Sequence, residues 1–258
     1  MSILMATATP VAGTRANIAA LPTEARGVTP EWCPSPNFGD RKDGLTPKLV
    51  VLHYTAMESC EAACRTLCNP DNEVSAHYLI RKDGHVIQMV EESKRAWHAG
   101  AGTWQGRGDV NSRSIGIEMS NTGVVPFSAP LMNSLEILLR GIMARWDIPA
   151  SGVIGHSDFA PGRKIDPGRK FDWQRLVRGG MAVWPDAPDA LDAEVDMARF
   201  NTAATSFGYP IDVDAETRLA SFRLRFNPTA SGPLSVRDVA MAEALARDFG
   251  IDQDIAEA

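Results

Sequence analysis

The chain has 258 residues, of which 44% are hydrophobic and 22% charged, with a formal net charge of −6. That is more than one typical domain needs and ample apolar content for a core. Nothing in it resembles a basic stripe that could neutralise phosphates, which argues against a nucleic-acid partner, and no stretch approaches the length of a membrane span.

Residues 1–32 read as a poorly ordered leader. Met1 to Gly13 is mildly apolar but has no basic region, the chain's first positive charge being Arg15, and Thr7, Thr9 and Pro10 interrupt its apolar run. It therefore does not read as a secretory signal, and no cysteine lies near the start to carry a lipid anchor. The expected compartment is the cytoplasm, with a periplasmic location by an export route lacking a visible signal as the alternative.

The run K-L-V-V-L-H, ending at His53, is apolar and β-branched, as expected of a buried strand whose last residue emerges at the sheet's end. E-S-C-E-A-A-C-R-T-L-C follows, helical in character, with Ser59 as N-cap and Cys60, Cys64 and Cys68 on one face. This spacing matches neither zinc pairs nor a common iron–sulfur pattern, and Cys33 alone is left to complete a site, so the face reads as buried packing with reduced thiols. His77 opens an alternating strand that leads to the Asp83-Gly84 turn and reads as a structural histidine; His85, after the turn, is expected to be exposed.

The Gly-rich segment W-H-A-G-A-G-T-W-Q-G-R-G-D carries Trp97, His98 and Trp104 and is too polar for a core element. It is either the wall of a ligand groove or a long surface connection. Ser114 to Glu118 is a second short strand and Gly152 to Gly155 a third. Between them Leu131, Leu135, Leu138 and Ile142 make an apolar stripe over residues 130–145, a helix that must cover a sheet, with Pro130 suited to its first turn. A break falls at W-P-D-A-P, residues 184–188, and helices are expected over 189–206, 215–226 and 235–249, the last opened by Ser235 and Asp238 in capping-box spacing. The fold class is α/β: a mixed central β-sheet flanked by helices, followed by a small C-terminal three-helix domain.

G-H-S-D-F-A-P-G-R-K-I-D-P-G, residues 155–168, is the segment richest in chemistry, with His156, Lys164 and Asp166 in one Pro- and Gly-stiffened loop. Imidazole nitrogen and carboxylate oxygen suit a borderline metal such as zinc, whose catalytic sites use three protein ligands and leave a fourth position open. Ligands in open α/β sheets gather beyond the carboxyl ends of strands, so His53, Glu118 and His156 can converge there. From spacing alone Glu118 is as readily a solvated strand-end carboxylate, and Lys164 a surface charge beside Arg163 and Arg169.

S-P-N-F-G-D-R, L-H-Y-T-A, S-A-H-Y-L-I, A-W-H-A-G, S-I-G-I-E and the 155–168 loop, in that order, resemble the AmpD/AmiD family of zinc-dependent N-acetylmuramoyl-L-alanine amidases, relatives of peptidoglycan recognition proteins. The resemblance covers roughly residues 33–180. It implies His53, His156 and Asp166 as zinc ligands, Glu118 as catalytic base and Lys164 as transition-state stabiliser. Tyr54, Thr55, Trp97 and His98 are the expected substrate contacts. The implied reaction is hydrolysis of the amide between N-acetylmuramic acid, or its 1,6-anhydro form, and L-alanine of the stem peptide, with peptidoglycan fragments as ligands in wall turnover or muropeptide recycling. A non-catalytic recognition module of the same fold and a zinc endopeptidase are the alternatives; a recognition module would be expected to lack zinc ligands.

A second resemblance is confined to G-Y-P-I-D-V-D-A-E-T and F-R-L-R-F-N-P, which are similar to a three-helix peptidoglycan-binding domain. Phe222-Arg223 stands where that family has phenylalanine-glutamine, and Ser231-Gly232 where Asp-Gly is usual. Residues 33–183 are thus expected to form the catalytic domain, 184–194 a linker, and 195–258 either a glycan-binding domain or an extension packed on the first.

Overall fold

The computed structural model describes residues 28–186 and 195–251. In chain order the strands are β1 (Glu31–Trp32), β2 (Phe38–Gly39), β3 (Leu49–Tyr54), β4 (Tyr78–Ile80), β5 (Val86–Gln88), β6 (Arg95–Ala96), β7 (Ser114–Met119) and β8 (Val153–Gly155). The helices are α1 (Cys60–Cys68), α2 (Val110–Arg113), α3 (Ala129–Trp146), α4 (His156–Phe159), α5 (Trp173–Arg178), α6 (Met197–Phe207), α7 (Ala215–Phe226) and α8 (Val236–Phe249). One mixed sheet runs in the order β1-β5-β4-β7-β3-β8, and β2 pairs with β6 in a small ribbon.

Burial on both faces explains the composition of β3. Leu49, Val50, Val51 and Leu52 are all buried, and successive residues of a strand face opposite sides. Val50 and Leu52 join the cluster beneath α3, with Ile115, Ile117, Leu131, Leu135 and Ile142. Leu49 and Val51 join a different cluster, with Trp104, Phe159, Phe200, Phe207, Phe222 and Phe226. The fold is therefore the expected helix-flanked mixed sheet, but α6, α7 and α8 form its second covering layer and share one core with it. A strand between two apolar layers needs an unbroken apolar run, and K-L-V-V-L-H supplies it.

β3 runs parallel to both β7 and β8, β7 is parallel to β4, and β4 and β5 form an antiparallel hairpin over the Asp83-Gly84 turn. Gly84 has φ +90, and a Cβ there would lie 2.8 Å from the Pro130 carbonyl oxygen, so the turn needs glycine for both conformation and space. α1 is capped by Ser59, whose Oγ accepts from the Ala62 amide at 3.1 Å. Its Cys60, Cys64 and Cys68 pack with Cys33, Leu79, Ile87 and Met89, all four cysteines are free, and burial pushes the Cys60 thiol up to about 12. The helix face is packing, as its spacing implied.

Two boundaries differ from those read in the sequence. Glu31 and Trp32, placed in the leader, pair in parallel with Ile87 and Gln88; both are exposed on the sheet's edge, so no apolar periodicity announces them. Residues 1–27 lie outside the described residues. The first C-terminal helix begins at Met197, where the Asp196 side chain accepts from the Ala198 and Arg199 amides, and residues 189–194 of the expected helix also lie outside the described residues.

Candidate active site

Three neighbouring parallel strands, β7, β3 and β8, end together at one margin of the sheet. The register pairs His53 with Glu118 and Leu52 with Gly155, so His156 follows immediately after the third strand. His53 shares the strand face of Leu49 and Val51, the one covered by α6–α8. Side chains from residues 53, 118 and 156 thus reach one space because the strand order makes them neighbours. The loop after α4 then returns Asp166 to it.

His53 Nδ1 lies 2.9 Å from His156 Nδ1 and 2.9 Å from Asp166 Oδ2, and His156 Nδ1 lies 3.1 Å from the same oxygen. All three residues are buried. The partners of the rings fix their protons. His156 Nε2 faces the Ala99 carbonyl at 2.9 Å and must donate to it. Ser114 Oγ gives its proton to the Val110 carbonyl at 2.5 Å, so it accepts from His98 Nε2–H at 3.2 Å. His98 Nδ1 is left as an acceptor, and His53 Nε2–H donates to it at 3.0 Å.

With these Nε2–H protons assigned, the neutral form of each ring turns its Nδ1 lone pair towards the other and towards a carboxylate oxygen. Three acceptors facing one another repel unless a cation stands between them. A tetrahedral site with bonds of about 2 Å spaces its ligands by roughly 3.3 Å, close to what is found here. Burial pushes the His156 imidazolium down to about 4, with His53 adding to the shift, which keeps the ring in its ligating neutral form. His53, His156 and Asp166 could hold a metal ion, as a group with its ligand atoms within 4.8 Å of one another.

Glu118 faces the same space. Burial pushes its carboxyl up to about 7 and Asp166 adds to the rise, against the opposing effects of His53 and Lys164. Its Oε2 is buried and has no hydrogen-bond partner among the described residues. Lys164 is exposed on the wall of a cavity of about 500 Å³ that also meets Tyr54, Thr55, Trp97 and Glu118. Every site residue read from the sequence borders this one cavity.

Two residues of the Gly-rich loop have partners that the sequence did not reveal. His98 touches the cavity, but both its ring nitrogens are engaged with protein, one of them on His53. Trp104, grouped with Trp97 as an aromatic of the groove, is wholly buried, its ring centroid 5.5 Å from Phe207 and 5.6 Å from Tyr209. The C-terminal helices supply the apolar surface that a Gly-rich loop lacks. His77 is structural: Nδ1 accepts from the Gly116 amide at 3.0 Å and Nε2 donates to the Lys94 carbonyl at 3.1 Å. His85 is exposed and bridges to Glu31 at 2.7 Å.

Ser114 and Asn111 were missed. Asn111 Oδ1 accepts the amides of His98 and Ala99, at 3.0 and 2.8 Å, which holds in place the carbonyl that orients His156. Arg163, read only as a loop charge, donates to the Ala99 carbonyl at 2.7 Å and to the Ala101 carbonyl.

A family model described as N-acetylmuramoyl-L-alanine amidase matches residues 43–169. The N-acetylmuramoyl-L-alanine amidase AmiD of Escherichia coli is 34% identical over 235 residues, spanning 80% of this chain and 84% of that protein. The 1,6-anhydro-N-acetylmuramyl-L-alanine amidase AmpD of Haemophilus influenzae is 44% identical over 161 residues, spanning 55% of this chain and 88% of that protein. Among solved structures, a complex of Escherichia coli AmiD with the substrate anhydro-N-acetylmuramic acid-L-Ala-D-gamma-Glu-L-Lys superposes with a TM-score of 0.73 at 31% identity, covering 84% of this chain and 99% of that one. Residues up to 186 cannot supply that share alone, so the match includes C-terminal helices. The parallel-strand site and these matches lead to one conclusion: the chain belongs to the N-acetylmuramoyl-L-alanine amidase family.

Proposed function

We propose that the chain hydrolyses the amide joining N-acetylmuramic acid, or its 1,6-anhydro form, to L-alanine, with zinc held by His53, His156 and Asp166. The observation that carries this reading is the triangle of acceptor atoms, 2.9 to 3.1 Å on a side, with the Glu118 carboxyl facing the same space. Two imidazoles and one carboxylate are a donor set suited to catalytic zinc. When bound, zinc supplies Lewis-acid chemistry, polarising a carbonyl and acidifying water.

Glu118 takes the proton of the attacking water and returns it to the departing alanine nitrogen. A carboxyl pushed up to about 7 is suited to accept and release a proton near neutral pH. Lys164, on the cavity wall, donates to the tetrahedral oxyanion. Tyr54, Thr55, Trp97 and His98 border the space where the sugar and stem peptide lie. An anhydro-muropeptide such as the one in the AmiD complex is the proposed substrate class, in peptidoglycan turnover or recycling.

The test is mass spectrometry of products after anhydro- and non-anhydro-muropeptides are offered together to zinc-replete protein. Expected products are the intact sugar and a peptide beginning at L-alanine, with cleavage abolished by chelation. Cleavage within the stem would make the protein an endopeptidase, and no cleavage would make it a recognition module.

Residues 33–183 are the proposed catalytic domain, 184–194 the linker and 195–258 a peptidoglycan-binding-like domain, tested by retention on insoluble peptidoglycan. No described helix is long and apolar enough to cross a membrane, and the four free thiols support a cytoplasmic location, tested by fractionation.

A further inference from the structure

Asp158 lies two residues from His156, is wholly buried, and does not border the cavity. Its carboxylate accepts three hydrogen bonds. Oδ2 takes the Gly155 amide at 2.8 Å and Arg225 Nη1–H at 2.7 Å; Oδ1 takes the Tyr209 hydroxyl at 2.8 Å. Tyr209 follows α6 and Arg225 belongs to α7, so two of the three donors come from the C-terminal helices. Arg225 is itself buried, its guanidinium 4.1 Å from the centroid of the Trp173 ring.

The next contact is closer to the site. Ser221 Oγ, on α7, donates to the Ser157 carbonyl at 2.5 Å, and the Ser157 amide donates to the Asp166 carbonyl at 3.0 Å. Ser157 therefore sits between the residues that carry the two loop ligands, and α7 grips it from behind. Further along the loop, Thr217 Cγ2 stands 2.9 Å from where a Cβ on Gly162 would be, and Arg169 donates to the Pro228 carbonyl at 3.2 Å. At Ser157, Asp158, Gly162 and Arg169 the loop thus meets the C-terminal segment.

We infer that the C-terminal helices set the geometry of the metal loop, with Tyr209, Ser221 and Arg225 as positioning residues that act on His156 and Asp166 through Asp158 and Ser157. This rests on the proposal that His156 and Asp166 are metal ligands. It differs from a glycan-binding appendage in its consequence: weakening these contacts changes the metal site even on a small soluble substrate. Asp158 is held on both oxygens, while Arg225 engages it through Nη1 alone, its Nε and Nη2 being buried without a partner among the described residues. A buried carboxylate bonded on both oxygens makes a rigid support, and a metal site needs its ligands held to within about half an ångström. Deleting residues 186–258 would not test this, because it also removes one covering layer of the sheet.

Tyr209→Phe and Ser221→Ala each remove one hydrogen bond and little volume. Arg225→Met combined with Asp158→Asn removes the ion pair without leaving either charge buried alone. Zinc Kd by competition with a chromophoric chelator, the melting midpoint of metal-free protein, and kcat and KM on a soluble anhydro-muropeptide are measured for each. Expected is zinc affinity weakened about 10-fold in Tyr209→Phe and Ser221→Ala, and more in the double variant, as for residues supporting metal ligands. The fall in rate should appear in kcat with KM little changed. Zinc affinity within 2-fold of wild type in both single variants would overturn the inference, whatever the melting midpoints do. The underlying reading fails separately: wild-type protein would then bind no zinc, or cleave equally well when chelated.

Discussion

Replacing His98 by Phe separates holding a ligand from touching substrate. The ring packs directly on β7, since a Cβ on Gly116 would stand 2.4 Å from His98 Cγ, and Phe keeps a somewhat larger aromatic ring there while removing both nitrogens. His53 Nε2–H then loses the acceptor now 3.0 Å away, and Ser114 Oγ loses its donor. A buried donor without a partner costs about 1–3 kcal/mol. His53 can avoid that cost by moving its proton to Nδ1, which places a hydrogen where the cation must stand. Either way the penalty falls on metal binding. Loss of a partner to a ligating histidine typically weakens affinity about 10–100-fold. That is roughly 1.4–2.7 kcal/mol. Chelator competition should find zinc Kd raised within that range in His98→Phe, with a smaller rise in His98→Asn, whose amide oxygen can stand near the lost Nδ1. Wild-type zinc affinity together with a raised KM would refute the reasoning and return His98 to the substrate-contact role that its place beside Trp97 suggests.

Glu118→Gln should lower kcat by about 10²–10⁴ with zinc affinity little changed, as expected for loss of a general base; comparable turnover in the variant would remove Glu118 from that role. Lys164→Met should cost about 3 kcal/mol in kcat, the scale of one oxyanion donor; an effect confined to KM would make it a binding residue. Gly116→Ala forces a methyl against the His98 ring and should destabilise the protein by roughly 1–3 kcal/mol while weakening zinc binding, so an unchanged melting midpoint and Kd would contradict the packing described. In the pH profile of kcat/KM, the base must be ionised, so activity falls as pH drops through the Glu118 pKa. Burial pushes that carboxyl from 4.5 up to about 7 and a bound dication favours its charged form, which puts the acid limb between those values. A rate still climbing steeply above pH 8 would assign the limb to another group.

What was legible in the sequence, and what was not, follows from the chemistry each residue performs. Binding a metal or moving a proton demands particular side chains, so the residues proposed for these tasks, His53, Glu118, His156, Lys164 and Asp166, were visible by type, and the apolar runs before His53, Glu118 and His156 marked them as strand ends. Their convergence then needed only adjacency of β7, β3 and β8, which parallel strands with a common carboxyl end provide. Orientation makes no such demand on residue type. The His53 tautomer is fixed through His98, a serine hydroxyl and the Val110 carbonyl, and that of His156 by the Ala99 carbonyl, itself held by Asn111. Any of many side chains or backbone groups can donate or accept a hydrogen bond, so nothing in Ser114 or Asn111 distinguishes them from surface polar residues until the fold brings them in.

Trp104 was misplaced for a related reason. Its loop is locally polar, and the rings that bury it, Phe207 and Tyr209, lie about a hundred residues further along. Local composition reports the environment a segment makes for itself, whereas burial under another layer is a property of the pair. The same argument applies to the C-terminal helices as a whole. Their own pattern predicts three amphipathic helices, and an apolar face can be satisfied equally by its neighbours in a small bundle or by a sheet. Here the face meets Leu49, Val51 and Ile154 of the sheet itself, so the division into a catalytic part and an appendage, natural on the linear chain, does not mark a division in packing.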